Sequence, residues 1–184
     1  MKSALPASVA AGARLFHFRW SSTTHIALIT KVSTKLVCTA ALATPAPRSV
    51  GWHTAGNWVT RAAYTGVSLV GGPWGLARRQ SYPNTLIDVL DIAVASTAAG
   101  LGSAGGSLNG NSIAGDIAVC GGTVGSINMQ HDLYYPVDKE VPLVVGANEG
   151  LVLANGAVAF PTTAQYLLSV EISWAEILLS DWGQ

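Results

Sequence analysis

Charge is the property that this sequence has least of. Asp, Glu, Lys and Arg make up only 11% of its 184 residues, against about 25% in an ordinary soluble domain. The ten basic and ten acidic residues give a formal net charge of zero, which excludes the basic surface typical of nucleic-acid-binding proteins. Two explanations are open for so few charged residues: the chain is a membrane protein, or neighbouring subunits cover much of its surface.

The chain also lacks a long hydrophobic run. A membrane-spanning helix needs about 20 consecutive apolar residues, and the best candidate, 86–104, is interrupted by Asp88 and Asp91. Residues 1–13 contain no continuous apolar stretch of the length that a secretory signal needs. We therefore expect no membrane partner and attribute the low charge to contacts with neighbouring subunits.

Cysteine is scarce as well. Cys38 and Cys120 are the only two in the sequence. Two cysteines cannot bind a metal by themselves, and they do not resemble the framework of a small disulfide-rich domain. We interpret both as buried thiols and leave a bridge between them open.

What the sequence does contain is alternation with a period of two. Phe16, Phe18 and Trp20 fall on one face of a short strand. His17 and Arg19 fall on the opposite face. Such alternation is typical of a strand with one face on a core and the other toward solvent or a partner.

Two longer segments show the same alternation. In the longest, the apolar positions of one parity are Ile26, Leu28, Val32, Leu36 and Cys38. In the cleanest, near the other end of the chain, they are Leu168, Val170, Ile172 and Trp174. Each set predicts a core-facing strand, and pairing the two strands would close the domain.

Shorter strands are predicted elsewhere. The candidate segments are 52–64, 67–70, 85–94, 141–145 and 150–153. They are separated by turns rich in Gly and Pro. Pro45 and Pro47 lack backbone donors, so we expect them to break any strand ladder.

The segment 95–125 is dominated by Gly, Ala, Ser and Asn. A structureless loop of this length is unusual in a compact domain, so we expect short strands around 113–119 or a contact with a neighbour. With residues 1–13 as an N-terminal arm, the chain 1–184 is predicted to be one all-β domain. The predicted fold is an antiparallel β-sandwich, jelly-roll-like, with a long Gly/Ala/Ser-rich loop region.

No motif indicates a bound cofactor. Residues 100–105 match the dinucleotide-binding pattern GxGxxG, which requires a helix that opens at the turn. The glycines that follow, Gly106, Gly110 and Gly115, would prevent such a helix. We interpret the motif as a loop.

The ionisable side chains lack the spacing of a reactive site. Neither HxxxH nor HxH occurs among the four histidines, His17, His25, His53 and His131. The carboxylate pairs Asp88 with Asp91 and Glu171 with Glu176 would each point to opposite sides of a strand, so we interpret them as solvated. We expect no enzymatic activity, no catalytic residues, no metal site and no cofactor.

Tryptophan and arginine supply a candidate interface. Trp52, Trp58 and Trp74 lie in glycine-rich surroundings, where a ring could fill a subunit interface or stack on a sugar. Aromatic residues are enriched at interfaces, so we favour the interface. Arg78 and Arg79 complete the candidate set.

Three stretches form a recognisable set. Residues 18–29 read FRWSSTTHIALI, 142–145 read PLVV before NEGLV at 148–152, and 168–176 end in SWAE. In this order they resemble a family of small phage-associated proteins regarded as β-sandwich virion components. The resemblance spans about 14–176, without the glycine-rich middle, and implies a turn at 148–150 in which Gly150 supplies unusual backbone angles.

The resemblance implies a role in particle architecture. It suggests a capsid decoration or cement protein that bridges coat subunits, with the major capsid protein or other virion proteins as partners. It also suggests a homo-oligomer, a trimer in the first place, located in the virion after assembly in the host cytoplasm. A tail or baseplate component and a host-glycan-binding virion module are the alternatives.

Overall fold

The computed structural model describes residues 2–40, 46–58, 66–68, 91–102, 106–120, 124, 127–134, 143–162 and 165–182. They form twelve β-strands and a 3-10 turn at Leu179–Asp181, and none of them belongs to a helix long and apolar enough to cross a membrane. The prediction of an all-β fold is confirmed. The strands are β1 (Lys2–Ala4), β2 (Arg14–Trp20), β3 (His25–Ala40), β4 (Ala46–Gly56), β5 (Gly66–Ser68), β6 (Ile92–Ala95), β7 (Ser107–Leu108), β8 (Ala114–Cys120), β9 (Ile127–Tyr134), β10 (Leu143–Val145), β11 (Glu149–Asn155) and β12 (Gln165–Leu178).

The strands form two antiparallel sheets. Sheet A has the order β1-β12-β3, and the far edge of β3 pairs with both β10 and β9. Sheet B has the order β5-β6-β2-β11-β4, and the far edge of β4 pairs with both β7 and β8. The sheets pack face to face, which confirms the antiparallel sandwich. The jelly-roll connectivity stays a prediction, because the connection from β5 to β6 lies outside the described residues.

β3 and β12 pair along almost their full lengths, from Gln165 opposite Ala40 to Leu178 opposite His25. The two segments with the clearest alternation are therefore neighbours, as expected. The predicted inner face of β12 is also confirmed. Its core residues are Leu168 and Val170, with Ile172 and Trp174 packed against them.

The predicted inner face of β3 is correct only in its second half. Ser173 and Trp174 are adjacent on β12, but their partners on β3 are two residues apart, which leaves Thr30 as an extra residue. Such a bulge reverses the parity that faces inward. Ile26 and Leu28 are buried but lie outside the main core, contrary to the prediction. The main-core residues of β3 are Ala27, Ile29, Val32, Leu36 and Cys38.

A tryptophan side chain forms a hydrogen bond between the two sheets. Trp52 of β4 is fully buried, and its ring packs edge-on against Phe16 with 5.7 Å between the ring centroids. Its Nε1 donates a 2.8 Å hydrogen bond to Oγ1 of Thr34, a buried residue of β3 in the opposite sheet. A buried indole N–H needs an acceptor, so this bond fixes β4 against β3.

The start of β4 corrects a prediction about proline. Pro47 lies inside the strand, opposite Val119 of β8, and does not break the ladder. Pro45 lies outside the described residues. At Pro47 β4 has no described partner on its other side, because β11 joins it only from Val50 onward. Proline is tolerated at such a strand edge, where one side of the backbone has no ladder to complete.

The glycine-rich segment contains two strands. β8 confirms the expected strand around 113–119, and the two-residue β7 precedes it. Cys120 ends β8. Cys38 is fully buried, as predicted, and its Sγ donates a 3.0 Å hydrogen bond to the carbonyl oxygen of Ala40.

We expect Thr34→Val to lower the free energy of unfolding by about 1–3 kcal/mol, because it keeps the side-chain shape but leaves the Trp52 indole N–H buried without its acceptor. Urea unfolding would measure the loss. The same substitution in a Trp52→Phe background should cost less, because the donor is already absent. Thr39→Val, at an exposed position of the same strand, is the control. Equal costs for Thr34→Val in both backgrounds would show that the hydrogen bond contributes nothing.

Candidate functional site

The central strands of sheet B are covered on both faces. All residues of β2 from Leu15 to Trp20 are buried, and all of β11 from Gly150 to Asn155. The inner face packs on sheet A. The outer face carries two smaller apolar clusters, formed by residues of sheet B together with Trp58 and Leu101. One consists of Ala55, Trp58, Val152 and Ala154 with Leu108 packed against them, and the other of Ala93, Ala95 and Leu101.

Trp58 is the largest side chain of the first cluster, and glycines make room for it. A Cβ atom on Gly150 would come within 2.6 Å of Cζ3 of Trp58, and would also collide with the backbone oxygen of Phe18. A Cβ on Gly106 would fall on the indole ring itself. The Trp58 ring also meets the imidazole of His17 edge to face, at 5.7 Å between centroids.

A buried ion pair lies on the same face. Arg19 Nη1 contacts Asp91 Oδ1 at 3.1 Å, and the side chains are only 7% and 0% exposed. Ser21 Oγ donates to the other carboxylate oxygen of Asp91 at 2.6 Å. A buried carboxylate is tolerated when it is paired and hydrogen-bonded in this way. The prediction that Asp91 is solvated is therefore wrong, and Asp88 lies outside the described residues.

Asn148 joins this ion pair to the turn before β11. Its Oδ1 accepts a 2.6 Å hydrogen bond from Arg19 Nη2. Its backbone N–H donates to Trp20 O at 2.7 Å, and its carbonyl oxygen accepts from the backbone N–H of Trp58 at 3.3 Å. One residue thus connects β2, the charged pair and the segment that carries Trp58.

The turn that the resemblance places at 148–150 lies earlier in the chain. The backbone N–H of Glu149 donates to Gly146 O at 3.1 Å to close it, and Glu149 already begins β11. Asn148 has the positive φ, +62°, which asparagine tolerates better than most residues. Gly150 belongs to β11 and is required for space, because Trp58 lies directly over it. The expectation that Gly150 supplies unusual backbone angles is therefore wrong.

His17 is fully buried between this layer and two arginines. Burial is the main reason that its pKa falls from 6.5 to about 3, and the positive charges of Arg14 and Arg19 lower the pKa further. The imidazole is therefore neutral in the folded protein at neutral pH. In this neutral form its ring packs against Trp58.

Two residues of the candidate interface, Trp52 and Trp58, belong to the described part of the chain. Trp52 and Trp58 are 0% and 1% exposed. The prediction that they face a partner or a sugar is wrong, because the chain itself covers both rings. Trp74, Arg78 and Arg79 lie outside the described residues, so their place in an interface stays a prediction.

The dinucleotide-like motif begins against β2. Gly100 has a φ of +79°, and Leu101 forms a β-bridge with Arg14, to whose oxygen it donates a 2.8 Å hydrogen bond. These residues are not helical, in agreement with the interpretation of the motif as a loop; 103–105 lie outside the described residues.

The other ionisable groups among the described residues are scattered. Glu171 is exposed and pairs with Lys31 at 3.2 Å, as a solvated face implies, whereas Glu176 accepts a 3.2 Å hydrogen bond from Trp174 Nε1. His25 Nδ1 lies 2.9 Å from Thr24 Oγ1. Among the described residues no three His, Cys, Asp or Glu side chains are grouped as metal ligands.

No family model, curated protein or solved structure matches this chain. The resemblance to phage virion proteins therefore stays a prediction that rests on the three sequence stretches.

Substitution of Gly150 tests the packing of Trp58. We expect Gly150→Ala to destabilise the protein by about 2 kcal/mol or more, because the added methyl group overpacks a site bounded by backbone and a ring. Gly110→Ala is the control, since a Cβ at Gly110 meets nothing within 4 Å. Thermal or urea unfolding measures both. Equal stability of the two variants would contradict the close approach of Trp58.

His17 should make the stability depend on acid. Its pKa in the folded protein is lowered to about 3. Between pH 6.5 and 3, His17 therefore binds a proton in the unfolded chain but not in the folded one. The stabilisation is complete above 6.5 and is lost as the pH falls, by about 1.4 kcal/mol per unit.

Urea unfolding at several pH values would measure this slope. His17→Leu should make it shallower, whereas His25→Gln should retain it because His17 is intact. The same slope in His17→Leu as in the parent protein would contradict the neutral, buried imidazole.

Proposed function

We propose that this protein is a structural component of a phage particle, a capsid decoration or cement protein that bridges neighbouring coat subunits. The three stretches that resemble phage virion proteins support the proposal, since they lie side by side in the sandwich. Trp20 of the first stretch is opposite Glu149 of the second, and Trp174 of the third is opposite Ile29 of the first. They are parts of one scaffold.

The observation that carries the proposal is an apolar surface at the end of β12. It consists of Leu178, Leu179 and Trp182, which are 44%, 52% and 41% exposed. We call it the C-terminal surface. The three residues lie within five positions of the chain, and exposed apolar side chains that form a patch mark contact sites. Tryptophan is also enriched among the residues that dominate binding energy.

The C-terminal surface is held in a defined position. The backbone N–H of Leu179 donates a 2.9 Å hydrogen bond to Thr24 O, at the turn before β3, and that of Trp182 donates to Leu179 O at 3.4 Å. Its apolar side chains are thus anchored to sheet A. An anchored surface loses less conformational entropy on binding than a free tail does.

The partner that we propose is the major capsid protein, with this protein as a symmetric homo-oligomer, a trimer in the first place. A closed oligomer would present several copies of the C-terminal surface to adjacent coat subunits. Several weak contacts made together bind far more tightly than one. Such an assembly would stabilise the shell without any chemical reaction.

Copy number tests this proposal. Quantitative mass spectrometry of purified particles should find the protein in numbers comparable with the coat subunits. Particles that lack it should lose their contents at a lower temperature than complete particles do, and at low salt that complete particles survive. A handful of copies at the tail would instead support a tail or baseplate role, and absence from particles would refute a virion role altogether.

Substitution in the C-terminal surface tests the contact. Trp182→Ser should weaken binding to stripped particles by about thirtyfold, the effect of losing a contact worth ~2 kcal/mol. Val158→Ser is the matched control, because Val158 is also exposed, 53%, but lies in the turn after β11. Unchanged binding of Trp182→Ser in a co-sedimentation assay would show that another surface makes the contact.

A further inference from the structure

An open cleft of about 430 Å³ lies beside the turn that carries Asn148. Three parts of the chain form it: the end of β4, the segment around β7, and β10 with the turn that follows. Its volume is in the lower part of the range of small-molecule sites. The lining residues are Thr54, Ala55, Gly56, Asn57, Ser107, Leu108, Asn109, Val144, Val145, Glu149 and Gly150.

Hydrogen bonds hold the walls of the cleft in place. Asn109 donates its backbone N–H to Thr54 O at 2.9 Å, and its own carbonyl oxygen lies 3.0 Å from Nδ1 of His53. On the other wall, Glu149 Oε2 accepts a 2.8 Å hydrogen bond from the backbone N–H of Gly146. A preformed site of this kind loses little entropy when a ligand binds.

The polar groups of the lining are neutral with one exception. They are the amides of Asn57 and Asn109, the hydroxyls of Thr54 and Ser107, and the carboxylate of Glu149. Asn109 Oδ1 accepts from the backbone N–H of Asn111 at 3.3 Å, which leaves its NH₂ group as the donor. The bond from Gly146 occupies Oε2 of Glu149, so Oε1 is the carboxylate oxygen that can accept from a ligand.

The remaining lining is apolar, with Leu108 and Val144 half-buried in its walls. The described lining includes no basic side chain, which disfavours phosphate and carboxylate ligands. One carboxylate is also a poor basis for a calcium site, since Ca²⁺ takes six to eight oxygen ligands with several carboxylates as a rule. Amides, hydroxyls and a single carboxylate beside aliphatic groups suit a neutral polyhydroxylated ligand.

We propose that this cleft binds a neutral saccharide of one or two sugar units. The hydroxyl groups of the sugar exchange hydrogen bonds with Asn57, Asn109 and Glu149, and its C–H face packs on Leu108 and Val144. The proposal does not depend on the capsid role, because it concerns a different surface from the C-terminal one.

The probes are glucose, galactose, mannose, N-acetylglucosamine and their disaccharides. Saturation-transfer difference NMR on the full chain should show contact with at least one of them at millimolar concentration, and calorimetry should give the affinity. The informative variant is Asn57→Gly. Asn57 has a φ of +61°, which glycine adopts without strain, so the substitution removes the amide and keeps the backbone.

Asn57→Gly should lower the affinity for that sugar about tenfold, the effect of one lost hydrogen bond of ~1.4 kcal/mol. Ser8→Gly is the matched control, because Ser8 also has a positive φ, +58°, but lies in the N-terminal arm. Ser107→Trp, at an exposed position of the cleft, should fill the site and abolish binding while the thermal unfolding midpoint changes little.

Three results would overturn the proposal. The first is that no sugar in the panel binds. The second is that Asn57→Gly and Ser107→Trp bind as the parent protein does. The third is that calcium chloride alone binds with an affinity that Glu149→Gln abolishes, which would identify the cleft as a cation site. None of these results bears on the copy number in particles, so the two proposals can fail separately.

Discussion

The rest of the structure depends on one constraint, the burial of β2 and β11, the central strands of sheet B, on both faces. A strand in such a sheet has no solvent side on which to place a polar residue. β2 nevertheless carries His17 and Arg19 on the outer face. The histidine is accommodated by losing its charge, as its lowered pKa shows, and the arginine by pairing with Asp91. Gly150 follows from the same constraint, because the layer that covers β11 leaves no space for a side chain beneath Trp58.

The period of two predicted much of the sandwich, and its failures have identifiable causes. It placed Phe16, Phe18 and Trp20 on the core and found the inner face of β12. It could not find the bulge at Thr30, because one extra residue changes the parity of half a strand without changing its composition. It also treated Arg19 as facing solvent or a partner. The cover over that residue comes from segments distant in the chain, which no local pattern reveals.

Two of the three stretches that carry the resemblance are in direct contact in the structure. FRWSS and NEG lie against each other, and Asn148 makes the junction with its side chain, its N–H and its carbonyl oxygen. The resemblance implied a turn at 148–150 and assigned the unusual backbone angles to Gly150. The positive φ belongs to Asn148, whose side chain also accepts a hydrogen bond from Arg19. A short motif of this kind specifies strand register and the burial of an ion pair, and its presence alone does not indicate chemistry.

The fold itself explains part of the shortage of charged residues. Because β2 and β11 are covered on both faces by their own chain, less surface is left on which charged residues are needed, and Arg19 and Asp91 are held inside. Low charge therefore follows partly from the fold, and is weaker support for subunit contacts than composition alone suggests. The stronger support is local. Leu178, Leu179 and Trp182 are exposed beside a described structure that buries Trp20, Trp52 and Trp58 almost completely. The chain encloses those rings but leaves Trp182 41% exposed. Aromatic residues are enriched at interfaces, and this contrast is why we propose the contact at the end of β12.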